Sequence, residues 1–260
     1  MTIGRSAQTL PCLIQKINEK MNALELKSLE SAVLKCPENS KTIKKPSDLA
    51  SLIDHTLLKP EVTNGDIEEL CEEARRFNFR SVCVNPVFVK EARKQLAGTG
   101  SSVITVVGFP LGANLTITKV EETNQVVKLG VNEIDMVISL GALKSGDYRT
   151  VYDDIRMVVE AAGSIPVKVI IEAGLLEEAE KIAACLLSVR AGASFVKTAT
   201  GFSARGATME DVRLIRAVVG NRAGVKAAGG IGDFQTACAM VEAGATRLGC
   251  SASVSIVTES

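Results

Sequence analysis

The chain has 260 residues, 46% of them hydrophobic, and its acidic and basic residues are equal in number, so the formal net charge is zero. This length and composition predict one domain with a large buried core. The balanced charge, the lack of tryptophan and an aromatic content of 3% argue against nucleic acid or an anionic membrane as a partner.

The sequence also argues against several other classes of protein. No apolar run approaches the roughly 20 residues that a membrane span needs, and the first five residues lack the apolar core of a secretory signal, so we expect a cytoplasmic protein. The seven cysteines include no C-x-x-C pair and are predicted to be free thiols in the core. His55 is the single histidine, which disfavours a histidine-based metal site.

Residues 1–47 differ from the rest of the chain and are interpreted as a helical extension followed by a linker. Apolar residues at helical spacing predict two short amphipathic helices; they are Leu10, Leu13, Ile14, Ile17 and Met21 in the first and Leu26, Leu29 and Val33 in the second. Residues 36–46 break this pattern and predict the linker. A segment that packs on the main domain is favoured over a cap or an oligomer contact.

From residue 48 to residue 260, short apolar runs alternate with longer helical patterns. The predicted strands are 51–54, 81–84, 103–107, 133–138, 167–172, 194–199, 224–228 and 246–250. The predicted helices are 64–77, 87–97, 116–129, 147–162, 176–191, 208–219 and 233–243, with a short one after 251. Eight such units favour an α/β fold of the TIM (β/α)8 barrel type. The alternative is an open doubly wound sheet, but no G-x-G-x-x-G follows the first strand.

The fourth to the seventh of these strands each carry a charge that the sequence pattern predicts to be buried. In a closed barrel Asp135, Lys168, Lys197 and Lys226 would converge, because their strands are neighbours. Two ammonium groups about 4 Å apart repel by roughly 4 kcal/mol at an effective dielectric of about 20, which favours the neutral form of one of them. A neutral lysine attacks a carbonyl carbon and forms a Schiff base, and a carboxylate such as Asp135 moves the protons.

A structural ion network is the alternative interpretation of these charges, and the residue pattern alone leaves the two interpretations about equal. Lys168 is predicted to be the structural member, balanced by Asp54 or Glu172. Lys197 and Lys226 lie closest to the ends of their strands, where the sites of such barrels are built.

Two glycine clusters predict a phosphate site. Gly229 and Gly230 follow the seventh strand, and Gly249 and Ser251 follow the eighth, each ahead of a helix. Glycines let backbone amides approach an anion, and a helix start adds partial positive charge. The loop 201–205 would close over the same anion with Ser203 or Arg205. Tight turns alone are the other explanation of the glycines.

Residues 48–258 resemble the deoxyribose-phosphate aldolases, which are class I aldolases with a TIM-barrel fold. The matching motifs are Ile53–Pro60, Val82–Pro86, Val106–Ala113, Glu133–Ile138, Val167–Glu172, Phe195–Phe202 and Val225–Gly230. The resemblance implies reversible cleavage of 2-deoxy-D-ribose 5-phosphate to D-glyceraldehyde 3-phosphate and acetaldehyde. It implies no metal or other cofactor and a sugar phosphate as the small-molecule partner. A homo-oligomer of two or four chains is a further expectation.

The resemblance also implies roles for individual residues. Lys197 would form the Schiff base, Lys226 would favour its neutral form, and Asp135 would relay protons. The implied substrate-binding residues are Asp54, Thr56, Cys83, Lys168, Thr198, Gly201, Ser203, Gly229, Gly230, Gly249 and Ser251. Asp54 and Thr56 would line the cavity floor or meet substrate hydroxyls, Cys83 would lie near the donor aldehyde, and the last four would hold phosphate.

The sequence departs from the family pattern beside the phosphate loops. The family usually continues Ile-Arg-Thr after the seventh-strand glycines, whereas this chain has Gly232 and Asp233 after Ile231. Loss of that arginine should weaken anion binding unless Arg205 substitutes for it. No tyrosine follows Tyr152 to act from the C-terminal tail. Two alternatives therefore stay open: a non-catalytic relative that binds a sugar phosphate or a protein, and an aldolase for a less phosphorylated acceptor.

Overall fold

The computed structural model describes residues 9–23, 43–203 and 205–258. Its centre is a closed barrel of eight parallel strands in sequential order from β1 to β8, with β8 paired to β1. The strands are β1 Ile53–Leu57, β2 Ser81–Val84, β3 Ser102–Val107, β4 Glu133–Val137, β5 Val167–Ile170, β6 Phe195–Lys197, β7 Gly224–Ala228 and β8 Arg247–Cys250. The predicted (β/α)8 barrel is therefore confirmed, and the open sheet is excluded.

Ten α-helices lie among the described residues. They are α1 Leu10–Asn22, α2 Asn64–Phe77, α3 Val89–Gln95, α4 Thr116–Lys128, α5 Leu140–Lys144, α6 Tyr148–Ala162, α7 Glu178–Arg190, α8 Met209–Val219, α9 Phe234–Glu242 and α10 Ser253–Thr258. Two predicted start signals are confirmed, since Thr63 and Thr208 accept hydrogen bonds from the backbone N–H of Asp66 and Asp211. The short helix α5 was not predicted.

The prediction was wrong about the start of the first strand. Residues 46–52 form a 3-10 helix, and β1 begins only at Ile53. Pro46 suits the first turn of a helix because its missing N–H needs no partner there. Leu49, Ala50 and Leu52 are buried from this turn, so a short apolar run of this length did not distinguish a helical turn from a strand.

The apolar core lies mainly between the barrel and the surrounding helices. Outward-facing strand residues such as Val82, Val196 and Val225 pack there against the apolar faces of the helices. A much smaller apolar cluster, formed by Leu58, Cys83, Ile104 and Val106, lies apart from this core. Strand alternation places Cys83, Ile104 and Val106 inside the barrel, on the β2 and β3 side. Most of the remaining interior is occupied by charged side chains. Because charged side chains are rarely buried in protein interiors, this concentration indicates a functional site.

The amino-terminal helix α1 packs on the barrel of its own chain. Ile14, Ile17 and Met21 are buried, as the amphipathic pattern predicted. At the helix end, Arg190 of α7 donates hydrogen bonds to the amide oxygens of Asn18 and Asn22, at 3.0 and 2.8 Å. The predicted second helix and most of the predicted linker lie outside the described residues. No described helix has the length and apolar content that crossing a membrane requires.

Candidate active site

Three lysines donate to one buried carboxylate in the middle of the barrel. The Nζ atoms of Lys197 and Lys226 both lie 2.8 Å from Oδ2 of Asp135, and that of Lys168 lies 2.8 Å from Oδ1. Asp135, Lys168 and Lys226 are fully buried, and Lys197 is 2% exposed. Because the Nζ atoms of Lys197 and Lys226 bond to the same oxygen, the distance between these two nitrogens is at most twice 2.8 Å.

The strand register explains why these residues meet. Asp135 pairs with Lys168 across β4 and β5, and Lys197 pairs with Lys226 across β6 and β7. Residues paired across parallel strands point to the same face of the sheet, so all four side chains enter the barrel. The structure thus brings together the four strand charges that the sequence analysis singled out.

A second layer of charges lies beneath the first. Asp54 on β1 makes ion pairs with Lys226 at 2.6 Å and with Arg247 at 2.8 Å. Arg247 also contacts Glu133 at 2.8 Å, and its guanidinium lies 5.3 Å from the centre of the Phe195 ring. The two layers form one continuous network from β1 to β8.

The predicted partner of Lys168 was wrong. Lys168 makes its ion pairs with Glu133 at 2.6 Å and Asp135 at 2.8 Å, rather than with Asp54 or Glu172. Glu172 lies at the end of β5 and instead accepts hydrogen bonds from Thr200 and from Ser203. Since Lys168 is fully buried beneath the cavity, it has no direct access to a substrate.

The network fixes the ionisation of its members. Burial opposes the charge of Asp135, but Lys168, Lys197 and Lys226 hold the pKa of Asp135 well below its usual value. Burial likewise opposes the charge of Lys226, but Asp135 and Asp54 raise the pKa of Lys226 above its usual value. Asp135 is therefore a carboxylate and Lys226 an ammonium at neutral pH.

Two neighbouring groups show the same competition. Burial opposes ionisation of Asp54, yet Lys226, Lys168 and Arg247 lower the pKa of this carboxyl to about 2. The Cys83 thiol is buried without a comparable partner, and burial raises its pKa to about 11. Cys83 is consequently a neutral thiol rather than a nucleophile.

A cavity of about 300 Å³ opens at the carboxyl ends of the strands, directly above the network. Its lining residues are Thr56, Leu57, Leu58, Lys59, Lys197, Thr200, Gly201, Phe202, Ala228, Gly229, Gly230, Ile231, Gly249, Cys250 and Ser251. Lys197 is the one member of the charged network in this lining. Part of the Lys197 side chain therefore borders the cavity, while its Nζ is bound to Asp135.

The cavity contains only part of the predicted substrate-binding set. Thr56, Gly201, Gly229, Gly230, Gly249 and Ser251 line it. Asp54, Cys83, Lys168, Thr198 and Ser203 do not. The Thr198 hydroxyl bonds to the backbone N–H and C=O of Ala228, the last residue of β7. Ser203 donates to Glu172 and fixes the loop after β6.

Arg205, the residue considered as a substitute for the missing phosphate-loop arginine, has its partners elsewhere. Its guanidinium pairs with Asp211 at 2.8 Å and donates to the carbonyl of Ala173 at 3.1 Å, outside the cavity lining. The acid gained beside the phosphate loop is also engaged elsewhere. Asp233 caps α9 by accepting hydrogen bonds from the backbone and hydroxyl of Thr236 at 2.7 and 2.9 Å.

Four residues of the site and its support were not predicted from the sequence. Lys59 and Thr200 line the cavity, and Glu133 and Arg247 complete the buried network. Lys59 follows β1 in the chain and adds a second cation to the lining. Strand alternation gave a usable signal for Glu133 and Arg247, because each lies two positions before an inward-facing residue of its strand.

The chain matches a known enzyme family over most of its length. The family model described as DeoC/LacD family aldolase covers residues 49–253, from the 3-10 helix before β1 to the start of α10. The match therefore includes all eight strands and every member of the charged network.

Relatives with assigned names agree with this match. A deoxyribose-phosphate aldolase of Brevibacillus brevis is 56% identical over 206 residues, covering 79% of this chain and 93% of the relative. A solved structure of an aldolase, QR15, is 41% identical with a TM-score of 0.79, covering 82% of this chain and 95% of the other. The tetrameric deoxyribose phosphate aldolase of Aeropyrum pernix is 30% identical with a TM-score of 0.76, covering 96% and 97%.

Proposed function

Because the chain belongs to the DeoC/LacD aldolase family, we propose that it cleaves 2-deoxy-D-ribose 5-phosphate reversibly to D-glyceraldehyde 3-phosphate and acetaldehyde. The observation that carries this proposal is the position of Lys197, which lines the cavity while its Nζ lies 2.8 Å from the Asp135 carboxylate and close to the Lys226 ammonium. A nucleophilic amine, a proton relay and a fixed cation are thus together at one point. No observation favours the non-catalytic alternative.

The first half of the reaction forms a covalent intermediate on Lys197. Its neutral Nζ attacks the aldehyde carbon C1 of the open-chain sugar, and the carbonyl oxygen takes up a proton to give a carbinolamine. Loss of that oxygen as water leaves a protonated imine. Asp135 bonds to both Lys197 and Lys226, so it is positioned to pass protons between the amine and a cavity water.

The second half breaks the carbon–carbon bond. A base removes the proton from the C3 hydroxyl, the C2–C3 bond breaks, and its electron pair moves to C2 to form an enamine as glyceraldehyde 3-phosphate leaves. Protonation of that carbon gives the imine of acetaldehyde, and water releases acetaldehyde and free Lys197. Lys226, which the charges of Asp135 and Asp54 keep protonated, stays a fixed cation through these steps.

We propose that the phosphate binds between the loops after β7 and β8. The backbone of Gly229 and Gly230 has positive φ values of 92° and 76°, a conformation that suits glycine and exposes amides to an anion. Lys59, exposed at the cavity lining, supplies the cation, since Arg205 is paired with Asp211. Ser251 adds a hydroxyl on the same side.

Borohydride reduction in the presence of acetaldehyde tests the chemistry directly. We expect a stable adduct on Lys197, located by peptide mass mapping, in the wild type and none there in Lys197→Ala. Lys144→Ala is the matched control, because Lys144 is a partly exposed lysine on α5 whose loss should leave the adduct intact. Labelling that persists in Lys197→Ala, or that is absent from the wild type at every pH, would reject the proposal.

Comparison of two substrates tests the phosphate site. We expect Lys59→Gln to lower kcat/KM for deoxyribose 5-phosphate by about tenfold, equivalent to one charge-assisted contact, and to leave turnover of unphosphorylated deoxyribose unchanged. Equal loss for both substrates would remove Lys59 from the phosphate site. If the wild type instead turns over deoxyribose faster than deoxyribose 5-phosphate, the alternative of an aldolase for a less phosphorylated acceptor would be favoured.

We also propose that the chain forms a homo-oligomer of two or four copies. A tetramer is described for the Aeropyrum pernix relative, and Val87, Leu111, Leu115 and Ile117 expose large apolar side chains in this chain. Light scattering of the purified protein tests this proposal, and a monomer at micromolar concentration would reject it.

A further inference from the structure

The buried network below the cavity contains one more cation than anions. Its members are Asp54, Glu133, Asp135, Lys168, Lys197, Lys226 and Arg247. Fully ionised, they amount to four positive and three negative charges. Among the described residues, no further acidic or basic side chain makes an ion pair with a member of this set. An unbalanced charge in a dry interior is costly. Release of one proton would make the network neutral and remove that cost.

The contacts indicate which member gives up the proton. Lys168 pairs with Glu133 and Asp135, and Lys226 pairs with Asp54 and Asp135. Lys197 pairs only with Asp135, and it shares the Oδ2 atom of that carboxylate with Lys226. The cation with the fewest carboxylate contacts is therefore the one that lines the cavity.

Arg247 is the cation that creates the imbalance. Its guanidinium stays charged in proteins, and it is held by Asp54 and by Glu133, each at 2.8 Å. Without it, three lysines would face three carboxylates, and the network would be balanced with every lysine protonated. With it, each of Asp54 and Glu133 divides its charge between Arg247 and a lysine.

We propose that Arg247 is a positioning residue that acts through Asp54 and Glu133, and that its permanent charge makes the buried network neutral only when Lys197 is a free amine. This inference rests on the proposed Schiff-base function and extends it. Repulsion from Lys226 alone is an incomplete explanation, because the Asp135 oxygen between the two nitrogens offsets much of that repulsion.

The other groups around Lys197 do not change the count. Cys83 on β2 is a buried thiol that stays neutral near pH 7. Glu172 lies just after β5, which ends at Ile170, and its carboxylate accepts hydrogen bonds from Thr200 and Ser203 instead of forming an ion pair with a lysine. Lys59, the other cation of the cavity lining, is exposed to water, so the charge balance of the barrel interior is set by the seven members of the network.

The pH dependence of borohydride trapping with acetaldehyde tests the proposal in the full-length protein. We expect Arg247→Gln to move the midpoint of trapping upward by about one pH unit, since a fixed charge is lost at short range in a medium of low dielectric. Glu133→Gln should move it downward by about the same amount, because it increases the excess positive charge. Arg247→Lys retains the charge and should keep the wild-type midpoint.

Opposite shifts separate this electrostatic role from a structural one. A structural role would lower the amount of trapping in both variants without moving the midpoints apart, and that result would overturn the proposal. If Arg247→Gln does not fold, the double variant with Glu133→Gln restores an excess of one cation and should trap with the wild-type midpoint; a double variant displaced from it would also overturn the proposal. Failure of the wild type to trap at any pH would instead reject the proposed function.

Discussion

The molecule contains two buried sets of ions with opposite properties. Between α4 and α6, Lys119 donates to Asp154 at 2.6 Å and to the carbonyl of Val137 at 3.0 Å, and the other Asp154 oxygen accepts from Thr116 at 2.8 Å. Both charged side chains are almost completely buried, and their charges cancel. Inside the barrel, the seven-membered network is equally buried but has an excess cation, and one of its lysines reaches a cavity.

This difference shows that burial alone does not make a lysine reactive. Lys119 has a carboxylate of its own and, in the described structure, a side chain that is fully buried. Lys197 shares its carboxylate with two other lysines and lines a cavity of about 300 Å³. Shared anions and access to a carbonyl compound distinguish a nucleophile from a structural cation.

The largest expected effects come from removing each lysine in turn. Lys119→Met leaves Asp154 buried without its ion pair and should lower the free energy of unfolding by about 3–5 kcal/mol. Lys197→Met balances the network at three cations and three anions, so the free energy of unfolding should change by no more than about 1 kcal/mol. Turnover should fall by on the order of 10⁴-fold or more in Lys197→Met, and folded Lys119→Met should retain most of it.

Urea unfolding and steady-state turnover, corrected for the folded fraction, measure both quantities. Lys119→Met/Asp154→Leu is the matched control, because replacing a buried ion pair by apolar residues of similar size is often close to neutral. A large loss of stability in Lys197→Met, or a loss of turnover in folded Lys119→Met as severe as that of Lys197→Met, would contradict the comparison.

Acid should weaken the network by a predictable amount. In the fold, burial opposes the ionisation of Asp54, but the charges of Lys226, Lys168 and Arg247 lower its pKa to about 2. An unfolded aspartate has a pKa of about 3.9. The unfolded chain therefore binds this proton more readily, so the stabilisation is complete above about pH 4 and is lost as the pH falls through about 2. Asp54 alone should contribute about 2–3 kcal/mol over this range.

Chemical denaturation at several pH values from about 2 to 6 measures this loss. Asp135 and Glu133 act in the same direction, because both have a lowered pKa in the fold. A free energy of unfolding that stayed constant between about pH 4 and 2 would mean that the carboxylates are not ion-paired as described.

A smaller effect is expected from a single methyl group next to Lys226. A Cβ atom on Gly249 would lie 2.9 Å from Cε of Lys226 and 3.0 Å from Cβ of Ala228. Gly249→Ala should therefore displace the Lys226 side chain, lower turnover, and destabilise the fold by about 1–3 kcal/mol. Gly141→Ala on α5 is the control, because open space surrounds that position, and it should be neutral or slightly stabilising.

The sequence allowed the fold and the upper layer of the network to be predicted, for a physical reason. Eight strands in sequence order can close in one way, and the period of two in a strand then decides which side chains enter the barrel. Arg247 and Glu133 of the lower layer were missed because both stand at strand starts, where a charge is usually solvated. Which carboxylates neutralise Lys168 depends on the register of β4 against β5, which no pattern within a single strand contains.

The loop residues were the least predictable part of the site. Lys59 lies in an exposed segment, and a lysine there has no sequence feature that separates a ligand contact from a solvated charge. From its position in the chain, Arg205 was an equally good candidate for binding the phosphate. In the structure, Arg205 instead pairs with Asp211 at the start of α8. In both cases the folded position of the loop, which no local pattern gives, decides the contact.

The smallest expected effect comes from an ion pair on the surface of the protein. Arg156 on α6 pairs with Glu160 at 2.6 Å, and the two side chains are 37% and 60% exposed. Arg156→Ala should change the free energy of unfolding by less than about 0.5 kcal/mol, because water screens the pair and ordering two long side chains costs entropy. Urea unfolding in low and high salt measures the effect. A loss comparable to that of Lys119→Met would show that burial does not separate the strong ion pairs of this fold from the weak ones.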